Sequence, residues 1–381
     1  MAGARNALFA VMRREHAVPF PGDSMSEADP RDSSMLPRRD FLRLGGAAAA
    51  GLVARDLLPG RQEPAARGPL PSNPRTQGAM PTRNLGKTGY RPGIFSLGGQ
   101  AAVEKPDNEA MAVSIIERAI DLGVNYVDTA SAYGGTQRWS QRYIGKVMPR
   151  RRGEVFLTSK TYDRTRDGSL RLLEESLRLM NTDHLDLWQL HNVMRMEQIE
   201  QIFAPGGAIE ALQQAREQKM VRFLGITGHY DPEPLMEGIR RFPFDTVLMA
   251  LNAADRHQYS FAEHLLPLAV EKQMGIIGMK IPARSRILAA WNPPPPSPTP
   301  TFESMGGGPQ TAGALTIREA MYYTLTHPVS TVIIGCDNPA QVEENVRLAQ
   351  EFTPLSEAQL SELAAKTEAI KRQALFFRRW A

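Results

Sequence analysis

The chain has 381 residues, of which 42% are hydrophobic and 23% charged, with a formal net charge of +4 at pH 7. This composition excludes a disordered or fibrous protein, and the small net charge, without a basic stripe interleaved with aromatic residues, argues against nucleic-acid binding. The single cysteine, Cys336, cannot form an internal disulfide.

The N-terminal part differs from the rest of the chain. Residues 1–34 are polar and lack an apolar period, which predicts a disordered lead or a start codon assigned too far upstream. Residues 35–66 contain Arg38 and Arg39 before a Phe-Leu step and a short Gly- and Ala-rich apolar stretch, with Pro37 in place of the usual serine or threonine. This order resembles a twin-arginine signal peptide followed by a linker, and the apolar stretch is too short to span a membrane.

The resemblance implies recognition by the twin-arginine export machinery. The mature protein is then expected in the periplasm or otherwise exported, without a stable membrane anchor. It is expected in the cytoplasm if the signal is not used.

The rest of the chain alternates between short β-rich apolar runs and amphipathic segments with helical spacing. The runs predict eight strands, at 94–99, 125–130, 155–160, 185–191, 222–229, 246–252, 275–280 and 331–336. The segments that follow them predict helices near 108–123, 138–148, 167–180, 207–219, 232–241, 260–273, 314–326 and 339–350.

Strands that alternate with helices pair in parallel through crossover connections. Eight such units over about 250 residues predict an α/β fold, a closed (β/α)8 TIM barrel, within residues 82–375. The competing architecture, an open doubly wound sheet, would carry a glycine-rich fingerprint after its first strand, and LGGQAAVEK supplies none.

Two further segments lie outside this repeat. Residues 356–373 predict an extra C-terminal helix across the outside or bottom of the barrel. Residues 291–310 form a long Pro- and Gly-rich loop, which is either a functional lid or a disordered insertion. This loop, Trp139 and the segment around Phe376 and Phe377 are expected to shape the substrate pocket.

Four polar side chains fall at or just after predicted strand ends. Strand two ends in Asp128, strand three in Lys160 and strand four in His191, and Tyr133 lies in the loop after strand two. Barrels of this kind build their active sites at the carboxyl ends of the strands. We therefore expect these four residues to meet at one rim.

Their chemistry suits proton transfer to a carbonyl oxygen. A free tyrosine has a pKa of about 10, and a neighbouring ammonium lowers that pKa by favouring the phenolate. A carboxylate beside the lysine keeps the lysine charged. The histidine can orient a substrate oxygen, and a well-placed acid or base raises the rate by about 10²–10⁴.

These residues lie in segments with a family resemblance. GVNYVDTASAYGG, VFLTSK, LDLWQLHN and VIIGCDNPAQVEEN are similar to motifs of the aldo-keto reductase family, and NLGKTGYRPGIFSLGG resembles its N-terminal β-hairpin and first strand. The resemblance covers roughly residues 82–352. It implies that Tyr133 is the general acid, that Lys160 and Asp128 tune it, and that His191 orients the substrate. It also implies a small-molecule aldehyde or ketone as substrate, a hydride from NADPH or NADH, and no metal.

The same resemblance assigns the cofactor to the ends of strands five, seven and eight. The candidates are Thr227, Met279, Lys280, Arg284, Gly335, Asp337, Gln341 and Asn345. Many family members have an arginine or lysine near Asp337 that meets the 2′-phosphate. A carboxylate instead repels a phosphate and accepts hydrogen bonds from free ribose hydroxyls, which favours NADH. Arg284 and Arg286 remain available to meet a phosphate, so NADPH stays open.

Two other functional classes fit a barrel. A cofactor-sensing or partner-binding protein would keep these residues but show little turnover, and this alternative stays open. A metal-dependent hydrolase needs several histidines or carboxylates at strand ends, whereas only His191 and His229 fall at predicted strand ends and no His-x-His pair occurs. The sequence therefore does not favour a metal site.

Overall fold

The computed structural model describes residues 68–294 and 310–380. The predicted lead, the export signal and most of the Pro- and Gly-rich loop lie outside these residues. Within the described ranges, no helix is both long and apolar enough to cross a lipid bilayer.

Eight parallel strands form a closed barrel, which confirms the predicted fold class. They are β1 (Phe95–Gly98), β2 (Tyr126–Asp128), β3 (Phe156–Thr161), β4 (Leu185–Leu190), β5 (Val221–Gly228), β6 (Thr246–Ala250), β7 (Gly275–Met279) and β8 (Thr331–Ile334). Each strand pairs with the next, and β1 closes the barrel by pairing with β8. Because all strands run in the same direction, their carboxyl ends share one rim.

Helices cover the outside of the barrel. They are α1 (Thr76–Ala79), α2 (Glu109–Asp121), α3 (Trp139–Arg151), α4 (Arg166–Leu179), α5 (Met196–Phe203), α6 (Ala208–Glu217), α7 (Pro232–Arg241), α8 (Leu265–Glu271), α9 (Ile317–Thr326), α10 (Pro339–Gln350), α11 (Glu357–Lys366) and α12 (Lys371–Ala374). The sequence did not predict α5, whose eight residues bury only Ile199 and Ile202. Two buried positions are too few to establish a helical period.

A hairpin precedes β1 and closes with an antiparallel bridge between Thr82 and Gly93. Gly86 in its turn has a φ of +55°, and a Cβ there would lie 2.2 Å from the main-chain nitrogen of Gly275. Only glycine fits this close approach. Because Gly275 begins β7, the turn lies against the amino end of that strand, away from the rim where the predicted catalytic residues lie.

The predicted C-terminal helix is divided at Thr367, between α11 and α12. The Thr367 hydroxyl donates to Ala253 O at 3.2 Å. Further along, Gln373 Nε2 donates to Arg286 O at 2.9 Å, beyond the end of β7. The C-terminal segment therefore reaches the carboxyl rim rather than the bottom of the barrel.

Candidate active site

A cavity of about 890 Å³ opens at the carboxyl ends of the strands. Its wall combines residues of β1, β2, β7 and β8 with the turns after them and the first turns of α10. The wall includes Gly98, Gln100, Glu104, Lys105, Asp128, Tyr133, Met279, Lys280, Arg284, Gly335, Asp337, Gln341 and Asn345. The cavity thus joins the rim around Tyr133 to the amino end of α10.

A buried ion pair borders this cavity. Lys160 Nζ donates to Asp128 Oδ2 at 2.5 Å and to Thr129 O at 2.7 Å, and Asp128 Oδ1 accepts from Thr158 Oγ1 at 2.8 Å. Both charged side chains are 1% exposed. Burial lowers the pKa of Lys160, and Asp128 opposes that shift. The carboxylate therefore favours the charged amine inside the barrel.

The phenol ring of Tyr133 lies beside this pair. Lys160 Nζ is 5.1 Å from the centre of the ring, and the ring of His191 is 5.8 Å away at an angle of 78°. Gly134 follows with a φ of +84°, and a Cβ there would lie 2.5 Å from the main-chain nitrogen of Trp139. The structure thus brings the four predicted catalytic residues together, with Tyr133 just before a turn that requires glycine at position 134.

The pKa of Tyr133 departs from the sequence-based expectation. Burial and the carboxylates of Asp128 and Glu104 raise it well above its ordinary value, and Arg284 opposes them. The expected lowering by Lys160 is absent because the ammonium is directed to Asp128 and the main chain. Tyr133 is therefore a firmly protonated acid in this structure.

His191 follows β4, and its main-chain N–H donates to Thr161 O at 2.7 Å. Its carbonyl oxygen accepts from Arg164 at 2.8 Å. Burial, followed by Lys160, Arg164 and Lys280, lowers the pKa of His191 well below its ordinary value. The imidazole is therefore neutral near pH 7, with one nitrogen that donates and one that accepts a hydrogen bond.

A second histidine lies near this group. His229 Nδ1 is 2.8 Å from Asn192 Oδ1, and Thr227 Oγ1 accepts from the main-chain N–H of Asn192 at 2.8 Å. Thr227 was predicted to bind cofactor, but it is fully buried and outside the cavity wall. Its position supports the turn after β4 instead, because its hydroxyl is used by Asn192.

The end of β7 contributes Met279 and Lys280 to the cavity wall, as predicted. Lys280 Nζ donates to Gln100 Oε1 at 2.9 Å. Arg284, in the turn after β7, forms an ion pair at 3.4 Å with Glu104, in the turn after β1. The turns after β1 and β7 are therefore linked by two polar contacts over the cavity.

The predicted residues after β8 also line the cavity. Asp337 forms an ion pair with Lys105 at 3.0 Å, and its main-chain N–H donates to Gln341 Oε1 at 2.7 Å. Asn345 Nδ2 donates to Cys336 Sγ at 3.5 Å. The negative charge of Asp337 is thus neutralised in part by a lysine from the turn after β1.

Aromatic residues close the neighbouring part of the rim. Arg286 lies over the ring of Phe376 at 4.7 Å, and the ring of Phe377 is 5.9 Å from that of His229. Trp139 was expected to shape the pocket, but it packs on Tyr143 at 5.6 Å and lies outside the cavity wall. Phe376 and Phe377 also lie outside the cavity wall, so the roles of these three aromatic residues in shaping the substrate pocket stay predictions.

Sequence reasoning missed the residues that follow β1. Gln100, Glu104 and Lys105 all line the cavity. The rule that polar side chains at or just after strand ends line the site predicted Asp128 and Lys160, and it also applies to these three residues. Because Gly99 follows β1 directly, the nearest polar side chain comes only at Gln100.

The cavity wall suits NADPH or NADH. The cations Lys105, Lys280 and Arg284 surround it, and α10 begins at its edge with Pro339 at the first helical position. A helix amino end and nearby cations favour phosphate groups. Apolar wall residues such as Met279 offer a surface for a ring, and the volume is typical of a ligand site.

Comparisons with known proteins give a consistent result. Residues 92–301 match the family model described as Aldo/keto reductase family. L-galactose dehydrogenase of Arabidopsis thaliana is 28% identical over 309 residues, which cover 76% of this chain and 95% of that protein. 6-dehydroglucose reductase of Novosphingobium aromaticivorans is 28% identical over 123 residues, which cover 29% of this chain and 40% of that protein.

Solved structures share the fold. An aldo-keto reductase from Bacillus halodurans in its holo form superposes with a TM-score of 0.61 at 23% identity, covering 76% of this chain and 97% of that one. An aldo-keto reductase from Klebsiella pneumoniae in complex with NADPH gives 0.58 at 20% identity, covering 75% of this chain and 94% of that one. At these identities the likeness concerns the fold alone.

Proposed function

Because the chain belongs to the aldo/keto reductase family, we propose that Tyr133 is the acid with which it reduces an aldehyde or ketone. The protein is an oxidoreductase that uses NAD(P)H. The observation that carries the residue roles is the cluster of Tyr133, Lys160, His191 and Asp128 beside one cavity. Together they supply an acid, a cation beside it, a carboxylate that holds the cation, and a neutral hydrogen-bond donor, which suits protonation of a carbonyl oxygen.

Tyr133 donates its proton to the carbonyl oxygen of the substrate. His191 is neutral and donates a second hydrogen bond to the same oxygen, which holds the carbonyl in place. Asp128 holds the Lys160 ammonium 5.1 Å from the centre of the Tyr133 ring, so this cation lies beside the phenolate that proton transfer leaves. The bound cofactor supplies the hydride to the carbonyl carbon.

We propose that Asp337 governs the choice between NADH and NADPH. Its carboxylate lies on the cavity wall at the start of α10, and Lys105 neutralises part of its charge. A carboxylate at this place disfavours a 2′-phosphate and accepts hydrogen bonds from ribose hydroxyls. Titration of the purified protein with both nucleotides checks this: NADH binds more tightly, and tighter NADPH binding would refute the role of Asp337.

Substrates for the first assays come from the names of the relatives. We propose sugar aldehydes and sugar alcohols, because two relatives are named L-galactose dehydrogenase and 6-dehydroglucose reductase. Oxidation of NADH or NADPH by a panel of the aldehydes, and reduction of NAD+ or NADP+ by the alcohols, tests the enzymatic function. Tight cofactor binding without turnover of any carbonyl compound would favour a cofactor-sensing protein.

We also propose that residues 35–66 direct export through the twin-arginine machinery. The support is the sequence alone, in which Arg38 and Arg39 precede a weak apolar stretch. Cell fractionation of the full chain and of a variant with both arginines changed to lysine tests this. Equal distribution of the two proteins contradicts export by this route.

A further inference from the structure

The cations around the cavity differ in how their charge is matched. Lys160 pairs with Asp128 at 2.5 Å, Arg284 with Glu104 at 3.4 Å and Lys105 with Asp337 at 3.0 Å; each cation thus has a carboxylate partner. Each of these three pairs of side chains therefore presents little net charge to a ligand in the cavity.

Lys280 is different. Its ammonium donates to the neutral amide of Gln100 at 2.9 Å, and within the described ranges no carboxylate lies at ion-pair distance from it. Lys280 lies directly after β7 with a φ of +60°, and its side chain forms part of the cavity wall. It therefore introduces one unmatched positive charge into the site.

The place of this charge relative to the reaction follows from the proposed function. If Tyr133 protonates the carbonyl oxygen, the hydride donor must lie beside the carbonyl carbon, within the cavity that Tyr133 and Lys280 both line. Lys280 is also close enough to Lys160 and Asp128 for their charges to interact. The nicotinamide ring would thus lie in the field of the Lys280 ammonium.

The two redox forms of the cofactor differ in this ring. The oxidised nicotinamide ring carries a formal positive charge, and the reduced ring carries none. We infer that Lys280 makes the site discriminate by cofactor charge, so that the protein binds reduced cofactor more tightly than oxidised cofactor. This role would favour carbonyl reduction and the release of oxidised cofactor after each turnover.

The discrimination depends on pH. Burial, then Arg284, lowers the pKa of Lys280 to about 7, Lys160 lowers it further, and Glu104 and Asp128 oppose the shift. Lys280 therefore carries its charge below about pH 7 and loses it above. The two histidines near it, His191 and His229, have pKa values held well below 6.5 by burial, so they stay neutral in this range.

The test is direct binding to the purified full chain without substrate. Dissociation constants for reduced and oxidised cofactor are measured at pH 6 and pH 8 by calorimetry or fluorescence. The ratio is the constant of the oxidised form divided by that of the reduced form, so a large ratio means preference for the reduced form. Both forms share the adenosine half, so its contribution cancels in the ratio. We expect the ratio to favour the reduced form roughly tenfold more at pH 6 than at pH 8, the size expected for one charge a few ångströms away in a partly buried site.

Two variants separate charge from packing. Lys280→Met removes the charge at similar volume, and we expect a small ratio that does not change with pH. Lys280→Arg keeps the charge at both pH values, and we expect a large ratio at both. Lys146→Met, the same change at an exposed cation that pairs with Glu109 outside the cavity wall, should leave the ratio and its pH dependence as in the wild type.

The possible failures are distinguishable. A wild-type ratio that is independent of pH, or one that Lys280→Met leaves unchanged, overturns this inference and leaves the proposed function intact. Failure of the folded wild type to bind either form of the cofactor overturns both.

Discussion

The ammonium of Lys160 hydrogen-bonds to Asp128 and to the main chain of Thr129, and it lies beside the ring of Tyr133. Its charge is therefore matched before substrate arrives. Burial, and then the carboxylates of Asp128 and Glu104, raise the pKa of Tyr133. Before substrate binds, Tyr133 is therefore a protonated phenol and not a phenolate.

This arrangement predicts the alkaline behaviour of the enzyme. With reduced cofactor saturating, kcat/KM for carbonyl reduction should stay constant from pH 8 to 9.5, because Tyr133 keeps its proton there. A pKa lowered by Lys160 into this range would instead give a decline of about tenfold per pH unit above it. Titration of Lys280 does not interfere, because its pKa of about 7 lies below the range of pH 8 to 9.5. In Asp128→Asn, which removes one cause of the raised pKa of Tyr133, the decline should begin at lower pH.

The sequence predicted which side chains meet at the rim because strand ends can be located from the apolar runs. Asp128, Lys160 and His191 all follow from that rule. It could not predict that Lys280 has an amide, and no carboxylate from residues 68–294 or 310–380, at its ammonium, because Gln100 and Glu104 come from the other side of the barrel closure. Such pairings depend on side-chain direction, which a single sequence does not contain.

At the scale of elements, Arg378 is a main contact between the C-terminal segment and the rim. Arg378 is buried, forms an ion pair with Asp255 and donates to Ala250 O at 2.9 Å, at the carboxyl end of β6. Its guanidinium lies 3.9 Å from the centre of the Phe261 ring. The neighbouring Phe377, which packs on His229, is thereby held beside the site.

Removal of this contact should destabilise the protein strongly. Arg378→Met leaves Asp255 as an uncompensated buried charge, which typically costs about 3–5 kcal/mol in the free energy of unfolding. The matched control is Arg379→Met, because Arg379 is 53% exposed and pairs with Asp231 at 3.3 Å, so it should have little effect. Denaturant unfolding followed by circular dichroism measures both, and equal losses would contradict this role of Arg378.

The same carboxylate explains an incorrect helix boundary. A helix was predicted for 260–273, but α8 begins only at Leu265. Asp255 accepts hydrogen bonds from the hydroxyl of Ser260 at 2.6 Å and from the main-chain N–H of Ala262 at 3.0 Å. These bonds hold the chain in a turn, although its apolar spacing is helical. The strands were predicted to within a few residues because their boundaries follow from the apolar runs and do not depend on a side-chain hydrogen bond of this kind.

At the scale of the whole molecule, closure of the barrel assembles the site. Lys105 and Asp337 are 232 positions apart in the chain, and Lys280 and Gln100 are 180 apart, yet each pair is in contact. These contacts exist because β1 pairs with β8 and β7 pairs with β8. The cofactor cavity is therefore a property of the closed barrel rather than of any single motif.

The central claim is that Tyr133 delivers the proton while bound cofactor delivers the hydride. The direct measurement uses reduced cofactor carrying deuterium at the transferred position of the nicotinamide, with a carbonyl compound from the active panel, and follows deuterium into the alcohol. The wild type and Tyr259→Phe, which changes a 40% exposed tyrosine, should transfer the label at equal rates.

Tyr133→Phe should bind the cofactor normally but transfer the label about 10²–10⁴ times more slowly. Transfer by Tyr133→Phe at the rate of the wild type, or no transfer by a wild type with cofactor bound, would contradict the account.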